Sequence, residues 1–334
     1  MNKHKIGRRD FLRMVGIGGV AGFTALKFGW DSVPQQAEVV TETRLLMGTV
    51  VNLTLITTDR NNAQQAIDDC LNHMGELEAV LSRHRSDSQL SSLNRDGQLN
   101  NASPHLIDVL RQAIDISTMT AGAFDVTVKP LVNLYQNHNA LPSDQDIQRT
   151  LTQVGYQNIT LDDASVYFEQ PGMSITLDGI AKGYIVDQGI AKLQQYGFMD
   201  VLVEAGGDLS ASGQKSVDRP WRIGIQSPRE NDMRLLGTFS VINEAVATSG
   251  DYMQSFSSDN LHHHILDPRS GYSSTELSST TVIAPSTVLA DAIATALMVI
   301  GPQDGLRVLG QWPDCRACMV TKSLEIIQSD GFSL

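Results

Sequence analysis

Asp291 and Thr295 stand four residues apart in a stretch, 287–300, whose apolar pattern predicts an α-helix. One helical turn separates them, so a carboxylate and a hydroxyl project from the same face. Oxygen donors of this kind suit a hard cation. The alternative is a carboxylate that only interacts with the helix dipole, beside a neutral surface threonine. The neighbouring side chains are small and apolar, which is unusual on a solvent-facing turn and favours the metal hypothesis: Ala290, Ala292, Ala294 and Ala296.

A run of three histidines, 262–264, precedes the segment Ile265-Leu266-Asp267-Pro268-Arg269-Ser270-Gly271. Consecutive residues of an extended chain point to opposite faces, so the three imidazoles cannot easily bind one metal ion. A metal-binding run is one interpretation, and one catalytic histidine with two bystanders is the one that we favour. An imidazole, whose ordinary pKa is about 6.5, suits a general base at neutral pH.

The segment Asp178-Gly179-Ile180-Ala181-Lys182-Gly183-Tyr184 opens another predicted helix. Glycines and a lysine at a helix start can present backbone N–H groups and positive charge to a phosphate. The segment lacks the P-loop pattern, so a nucleoside triphosphatase is not indicated. A plain strand-to-helix turn is the alternative. Gly206-Gly207-Asp208 and Ser249-Gly250-Asp251-Tyr252 are weak turn signals when taken singly.

The elements that must position these residues follow one another without a long linker. Apolar spacing predicts helices at 61–81, 103–122, 142–155, 180–195 and 287–300. Short apolar runs predict strands at 45–57 with an interruption at 47–48, and at 159–168, 174–177, 201–203, 221–226, 238–242, 245–248, 317–321 and 324–328. We therefore expect one composite α+β domain at 41–334, with mixed sheets and packed helices.

Charge and composition limit the classes of function. The 334 residues carry a formal net charge of −12 at pH 7, with 41% hydrophobic residues. A nucleic-acid surface needs clustered lysine and arginine that outnumber the local acids, so we expect no DNA or RNA partner.

The first residues differ from the rest. Arg8 and Arg9 precede an uncharged run, 14–26, which is typical of a twin-arginine export signal. We therefore predict a signal peptide and short spacer at 1–37, cleaved after Ala37, and a periplasmic protein. The alternative is an uncleaved signal that anchors the protein to the inner membrane.

The three cysteines give a weaker indication. Cys315 and Cys318 form a lone Cys-x-x-Cys pair, and a zinc site would need two more ligands nearby. A local disulfide and a pair of inert thiols are both compatible with the pattern. Cys70, on an apolar helical face, is expected in the core.

Seven segments taken together resemble one family. They occur in the order expected of ApbE-type FAD:protein FMN transferases, and the resemblance covers nearly everything after Thr43. The segments are Met47-Gly48-Thr49, Gly122-Ala123-Phe124-Asp125-Val126-Thr127, Gly179-Ile180-Ala181-Lys182-Gly183-Tyr184, Glu204-Ala205-Gly206-Gly207-Asp208, Thr248-Ser249-Gly250-Asp251-Tyr252, His264-Ile265-Leu266-Asp267-Pro268-Arg269-Ser270-Gly271 and Ala290-Asp291-Ala292-Ile293-Ala294-Thr295-Ala296.

The resemblance implies a T-fold-like α+β domain and a set of site residues. It implies that Asp291, Thr295 and the backbone carbonyl of Gly179 bind Mg²⁺, and that His264 is catalytic. It also implies contacts with FAD from Met47, Ala123, Phe124, Asp125, Lys182 and Ile265.

Two positions depart from the family pattern. His84 stands where the family often has tyrosine, and its ring can still stack on a flavin or adenine. Thr176 stands where an aspartate commonly contacts FAD, and Asp178 is the neighbouring carboxylate that could substitute for it.

The implied activity is a Mg²⁺-dependent transfer of the FMN moiety of FAD to a threonine hydroxyl of a target flavoprotein. AMP leaves, and a phosphoester bond joins FMN to the target. The resemblance implies that this target is a subunit of a membrane electron-transfer system. The same site could instead hydrolyse FAD to FMN and AMP, or serve a non-enzymatic periplasmic protein that binds flavin or metal.

Overall fold

The computed structural model describes residues 37–137, 141–216, 218–229 and 234–334. The expected α+β class is confirmed by its packed helices and antiparallel sheets. The first strand begins at Glu38, three residues before the expected domain boundary at 41. The predicted twin-arginine signal lies outside the described residues.

Eight α-helices lie in the described part of the chain. Their apolar faces follow the helical period, and side-chain caps mark several of the starts, as where Ser103 accepts a hydrogen bond from the backbone N–H of His105. The helices are α1 Arg60–Leu81, α2 Gln89–Asp96, α3 Pro104–Met119, α4 Lys129–Asn137, α5 Asp144–Leu151, α6 Ala181–Gln195, α7 Thr287–Ile300 and α8 Pro302–Leu309.

The strands form three sheets. The strands are β1 Glu38–Leu46, β2 Thr49–Thr57, β3 Gln98–Asn100, β4 Ile159–Leu161, β5 Ser165–Phe168, β6 Val201–Ala205, β7 Asp208–Ser212, β8 Trp221–Gln226, β9 Leu235–Val241, β10 Glu244–Gly250, β11 Leu277–Ala284, β12 Arg316–Thr321 and β13 Ile326–Gln328. The largest sheet has the order β1-β2-β6-β7-β10-β11-β12-β13, and smaller sheets join β3-β5-β4 and β8-β9. All the strand pairs within the described residues are antiparallel, as their registers show.

Both faces of the large sheet are covered around β11, whose residues are all buried. Val282 and Ala284 pack against α7, whereas Ile283 packs on the other face against the β8–β9 hairpin. Such two-sided burial explains why the residues of β11 are all buried rather than alternately buried and exposed. Helix α6 packs across β6 and β7, and it also contacts α7. Two helices of the site therefore share one face of the sheet.

The expected strand at 174–177 is wrong, because this segment is irregular. The amide side chain of Asn94 takes the place of a neighbouring strand. It accepts a hydrogen bond from the Ile175 N–H at 2.6 Å and donates to the Ile175 carbonyl at 2.9 Å. The Thr176 N–H donates to the Val126 carbonyl at 2.8 Å. The backbone groups of this segment are thus satisfied outside any ladder.

The Cys-x-x-Cys pair is not a disulfide. Cys315 and Cys318 are free and buried, and burial raises the pKa of each thiol to about 11. They lie in different core clusters, because Cys318 faces the β8–β9 hairpin and Cys315 faces α7. The inert-thiol interpretation is therefore the one that the fold supports.

The apolar helices of the fold belong to its core. Within the described residues, none of the helices has both the length and the hydropathy of a membrane span.

Candidate active site

The start of α7 is held by a carboxylate from another helix. Asp187 of α6 accepts hydrogen bonds from the backbone N–H groups of Thr287 and Val288, both at 2.8 Å. The preceding residue, Ser286, makes no side-chain capping bond. Helix α6 also comes very close here, since a Cβ added at Gly183 would collide with the carbonyl group of Thr287. A half-buried capping carboxylate and a glycine therefore fix α7 against α6.

This contact brings the three expected metal ligands together. Asp291 is only 5% exposed, and its Oδ2 accepts a hydrogen bond from the Gly183 N–H at 3.2 Å. A Cβ added at Gly179 would lie 2.9 Å from Thr295 Oγ1, so the backbone of the loop before α6 passes directly by that hydroxyl. Ser249 Oγ of β10 lies 3.1 Å from the same atom.

The charges around Asp291 favour a cation. Burial raises the pKa of Asp291 well above its ordinary value, and Asp208 raises it further, while Lys182 acts in the opposite direction. Lys182 Nζ lies 2.5 Å from Asp208 Oδ2, so its charge is shared between two carboxylates. Burial disfavours the charge on Lys182, but Asp208 and Asp291 outweigh burial and raise its pKa. One lysine faces two buried acids.

The donor set fits a hard divalent cation. It offers a carboxylate and a hydroxyl beside the backbone of the Gly179 loop, where two buried acids face one lysine, and oxygen ligands suit such a cation. Over the ranges that the structure describes, the site does not stand out as a cluster of three His, Cys, Asp or Glu side chains. Two of the three expected ligands, the main-chain carbonyl of Gly179 and the hydroxyl of Thr295, are not side chains of these types.

The start of α6 is not an open phosphate cradle. The Ala181 N–H donates to the Leu177 carbonyl at 2.8 Å, and the Gly183 N–H is bonded to Asp291. The expectation of free amides at this helix start is therefore wrong for these two groups, because the turn and the neighbouring helix already satisfy them. Positive charge from Lys182 remains at the same end of the helix.

His263 and His264 point to opposite sides of the segment, as neighbouring residues of an extended chain must. His263 is fully buried, with Nε2 at 2.8 Å from the Ser274 carbonyl and Nδ1 accepting from the Ile265 N–H at 3.3 Å. His264 is partly exposed, and its Nδ1 lies 3.2 Å from the Gln254 carbonyl. A carbonyl can only accept, so Nδ1 carries the proton and Nε2 is left with its lone pair. The catalytic role of His264 stays a prediction.

The electrostatics of His264 suit a base. Burial lowers its pKa, although the Gln254 carbonyl and the Asp178 carboxylate act in the opposite direction. The neutral form therefore predominates near neutral pH. The Asp178 carboxylate is itself held by Arg83, whose Nε lies 2.7 Å from Oδ2. Asp178 is therefore already paired at the position where it was expected to substitute for the family's aspartate.

The expected FAD contacts lie around this centre in different settings. Ala123 and Phe124 are buried, and Phe124 lies beside Gly179. The Asp125 carboxylate accepts from the Thr127 N–H, the Thr127 hydroxyl and the Tyr156 N–H, at 2.8, 2.6 and 2.9 Å. Its oxygens therefore organise the turn.

The other expected contacts are more widely spread. Thr176 Oγ1 accepts from the Asp178 N–H at 3.3 Å and so braces the loop that carries Gly179. Ile265 is buried with the apolar side chains of α7 and β12. Met47 lies in the β1–β2 turn, where its N–H donates to Glu78 at 2.9 Å, and His84 is exposed after α1. Contact of each with FAD stays a prediction.

Sequence reasoning missed three residues that matter to this geometry. Asp187, Asp208 and Ser249 were not singled out as functional, although the last two lie in segments noted as weak turns. A signal was present for Asp187, since a carboxylate next to the buried positions of α6 needs a partner.

The fold and the site define an α+β domain in which a helix-borne carboxylate and hydroxyl face a glycine loop and a histidine hairpin. A family model, that of the ApbE family, matches residues 47–319. The chain therefore belongs to the ApbE family.

Named relatives and solved structures agree with this family assignment. An FAD:protein FMN transferase of Vibrio cholerae is 32% identical over 275 residues, which are 78% of this chain and 81% of the relative. One from Haemophilus influenzae is 34% identical over 248 residues, or 70% and 72% of the two chains. The structure of the flavin transferase ApbE from Vibrio cholerae has a TM-score of 0.76 at 30% identity and covers 89% of this chain and 98% of that one. An ApbE protein from Thermotoga maritima has a TM-score of 0.79 at 29% identity, covering 88% and 97%.

Replacing Asp187 should weaken the positioning of α7, although Asp187 is not itself an expected metal ligand. Asp187→Ala leaves two helix-start N–H groups without an acceptor, which should lower the free energy of unfolding by about 2 kcal/mol. Asp187→Asn keeps one acceptor oxygen and should lose less. Urea unfolding and titration with Mn²⁺, followed by electron paramagnetic resonance, measure both effects. Asp115→Ala, an exposed carboxylate on α3, is the control. Unchanged Mn²⁺ affinity in Asp187→Ala would refute the positioning role.

His263 should make stability depend on pH. Burial lowers its pKa to about 4, whereas a histidine in an unfolded chain titrates near 6.5. Between these values the unfolded chain binds a proton that the folded chain does not. The free energy of unfolding should therefore fall as the pH drops from about 6.5 to 4, by up to ~3 kcal/mol from this residue.

Urea unfolding of the wild type and of His263→Gln at several pH values tests this. The advantage of the wild type at pH 7.5 should shrink as the pH falls, since glutamine does not titrate. His262→Gln controls for the loss of a neighbouring histidine. Parallel pH curves for the wild type and His263→Gln would contradict the assignment.

Proposed function

We propose that this chain is an enzyme that transfers the FMN moiety of FAD to a threonine hydroxyl of a target flavoprotein, with Mg²⁺, and releases AMP. The observation that carries the proposal is the meeting of Asp291, Thr295 and the Gly179 loop at one buried, negatively charged point. The names of the relatives, FAD:protein FMN transferases, support the same activity. So does the chain's place in the ApbE family.

In this proposal Asp291, Thr295 and the Gly179 carbonyl hold Mg²⁺. Bound there, Mg²⁺ would offset negative charge on the pyrophosphate oxygens of FAD. Lys182 lies at the same end of α6 and adds a positive charge that is shared with Asp208. Asp187 and Gly183 keep the two ligand-bearing elements at a fixed separation.

His264 takes the proton of the attacking hydroxyl. Its Nε2 has the free lone pair because Nδ1 is bonded to the Gln254 carbonyl. The threonine oxygen forms a bond to the phosphorus of the FMN half, and the bond from that phosphorus to the bridging oxygen breaks. The electron pair leaves with AMP. Water in place of the threonine would give FMN and AMP by the same bond changes.

The target in this proposal is a flavoprotein subunit of a membrane electron-transfer system. Such a target would have to reach His264 and the Gly179 loop from solvent. His264 is partly exposed, so an outside hydroxyl has access to it.

Incubation with FAD, Mg²⁺ and a recombinant acceptor domain, followed by intact-mass measurement, tests the proposal. The acceptor should gain the mass of FMN minus water. Asp291→Ala should abolish the Mg²⁺-dependent reaction, and Thr295→Ala should be milder, because the ion loses its charged ligand only in the first.

His264→Asn should slow single-turnover transfer by ~10²–10⁴-fold while FAD still binds.

The matched control for the last variant is the neighbouring His262→Asn, which should react at close to the wild-type rate. Full activity in the presence of EDTA would remove the metal from the proposal. Wild-type rates in His264→Asn would remove the base.

We also propose that the protein works in the periplasm after export by the twin-arginine route. Arg8 and Arg9 ahead of the uncharged run support this. The double variant Arg8→Lys with Arg9→Lys should leave folded, active protein in the cytoplasm, because that pathway reads the two guanidinium groups. Cell fractionation with activity measurement tests the idea, and normal periplasmic recovery would refute it.

A further inference from the structure

The residues between β10 and β11 begin with an irregular hairpin, 251–264, which carries His264 and is here called the site hairpin. Its two arms pair antiparallel, since the His264 N–H donates to the Gln254 carbonyl at 3.0 Å and the Phe256 N–H donates to the His262 carbonyl at 2.6 Å. Ser255 and His263 form a bridge between the arms. The hairpin therefore has a defined shape.

The root of the site hairpin is fixed by a buried ion cluster. Asp251 is fully buried, with Arg229 Nη1 at 3.0 Å from Oδ1 and Lys322 Nζ at 2.6 Å from Oδ2. Lys322 Nζ also donates to the Asn260 carbonyl at 2.7 Å. The Asp251 N–H donates to the Ser278 carbonyl at 3.0 Å. Three parts of the chain thus hold the hairpin in place.

Although its root is fixed, the site hairpin exposes large apolar side chains. Tyr252, Met253 and Leu261 are 37%, 59% and 39% exposed. Single exposed apolar residues are ordinary on a protein surface. Three in one anchored hairpin, two of which are the tyrosine and methionine types that are enriched at protein interfaces, indicate a contact surface.

The surface is continuous with the site. Tyr252 packs on Gly250, since a Cβ added at that glycine would collide with the tyrosine ring. The preceding residue, Ser249, lies at 3.1 Å from the hydroxyl of Thr295. At the other end, the Gln254 carbonyl that follows Met253 lies 3.2 Å from the imidazole of His264. The segment that carries Tyr252 and Met253 is therefore flanked by residues that contact Thr295 and His264.

We infer that Tyr252, Met253 and Leu261 form the docking surface for the flavin-acceptor polypeptide, and that they contact apolar residues flanking its reactive threonine. The inference rests on the proposed function. A chain whose hydroxyl reaches His264 spans only about 3.3 Å per extended residue, so the residues next to its threonine lie close to the site hairpin. A small acceptor such as water needs none of this surface.

The difference between a polypeptide acceptor and water gives the test of this inference. Met253→Ser should raise the KM for the acceptor protein about tenfold, because a large apolar contact is lost. The kcat at saturating acceptor and the hydrolysis of FAD without acceptor should stay at the wild-type value, since Met253 does not touch the reacting groups. Leu261→Ser should act in the same direction.

Met199→Ser is the matched control, because Met199 is 58% exposed and precedes β6, away from the hairpin. Its KM for the acceptor should not change. Equal effects of Met253→Ser and Met199→Ser would overturn the inference. So would a parallel fall in FAD hydrolysis by Met253→Ser, which would mean that the hairpin only shapes the site. Conversion of a dimer to a monomer by Met253→Ser alone would assign the surface to self-association instead.

Direct binding separates this inference from the proposed function. An acceptor domain with valine in place of its threonine cannot react, and its Kd for the wild type and for Met253→Ser can be measured by biolayer interferometry. A Kd about tenfold weaker for Met253→Ser supports the docking surface even if no transfer occurs. Transfer by the wild type together with equal Kd values would refute the docking surface and leave the proposed function standing.

Discussion

The contact between the starts of α6 and α7 is the constraint on which the rest of the site depends. Gly183 lets the two backbones approach, and Asp187 satisfies the first amides of α7 from across the gap. A helix start without a cap would expose unpaired donors in a buried place. Because α7 is held here, Asp291 and Thr295 face the Gly179 loop rather than solvent.

The electrostatic consequence is that two buried acids face one lysine. Asp291 is buried beside Asp208, and Lys182 offsets only part of their charge. Burying like charges is unfavourable unless a cation joins them. The arrangement therefore fits the cation that we propose for this site. Asp208 gives Lys182 a partner, so the lysine stays at the end of α6.

His264 is positioned by a separate part of the fold. The site hairpin is rooted through Asp251, Arg229 and Lys322, none of which belongs to α6 or α7. Strand β10 links the two parts, since Ser249 near its end meets Thr295. The expected metal ligands and the expected base are thus supported by separate parts of the fold.

The sequence determined the local features of this protein: the one-turn spacing of Asp291 and Thr295, the extent of α7, and the opposite directions of His263 and His264. These follow from backbone periods that any short stretch carries within itself. Only the tertiary structure decided which polar groups become partners, because those pairs join residues far apart in the chain. Gly183 and Asp291 are 108 residues apart, and Asp187 and Thr287 are 100 apart. The segment 174–177 shows the same limit, because its apolar pattern suits a strand but the amide of Asn94 satisfies its backbone instead.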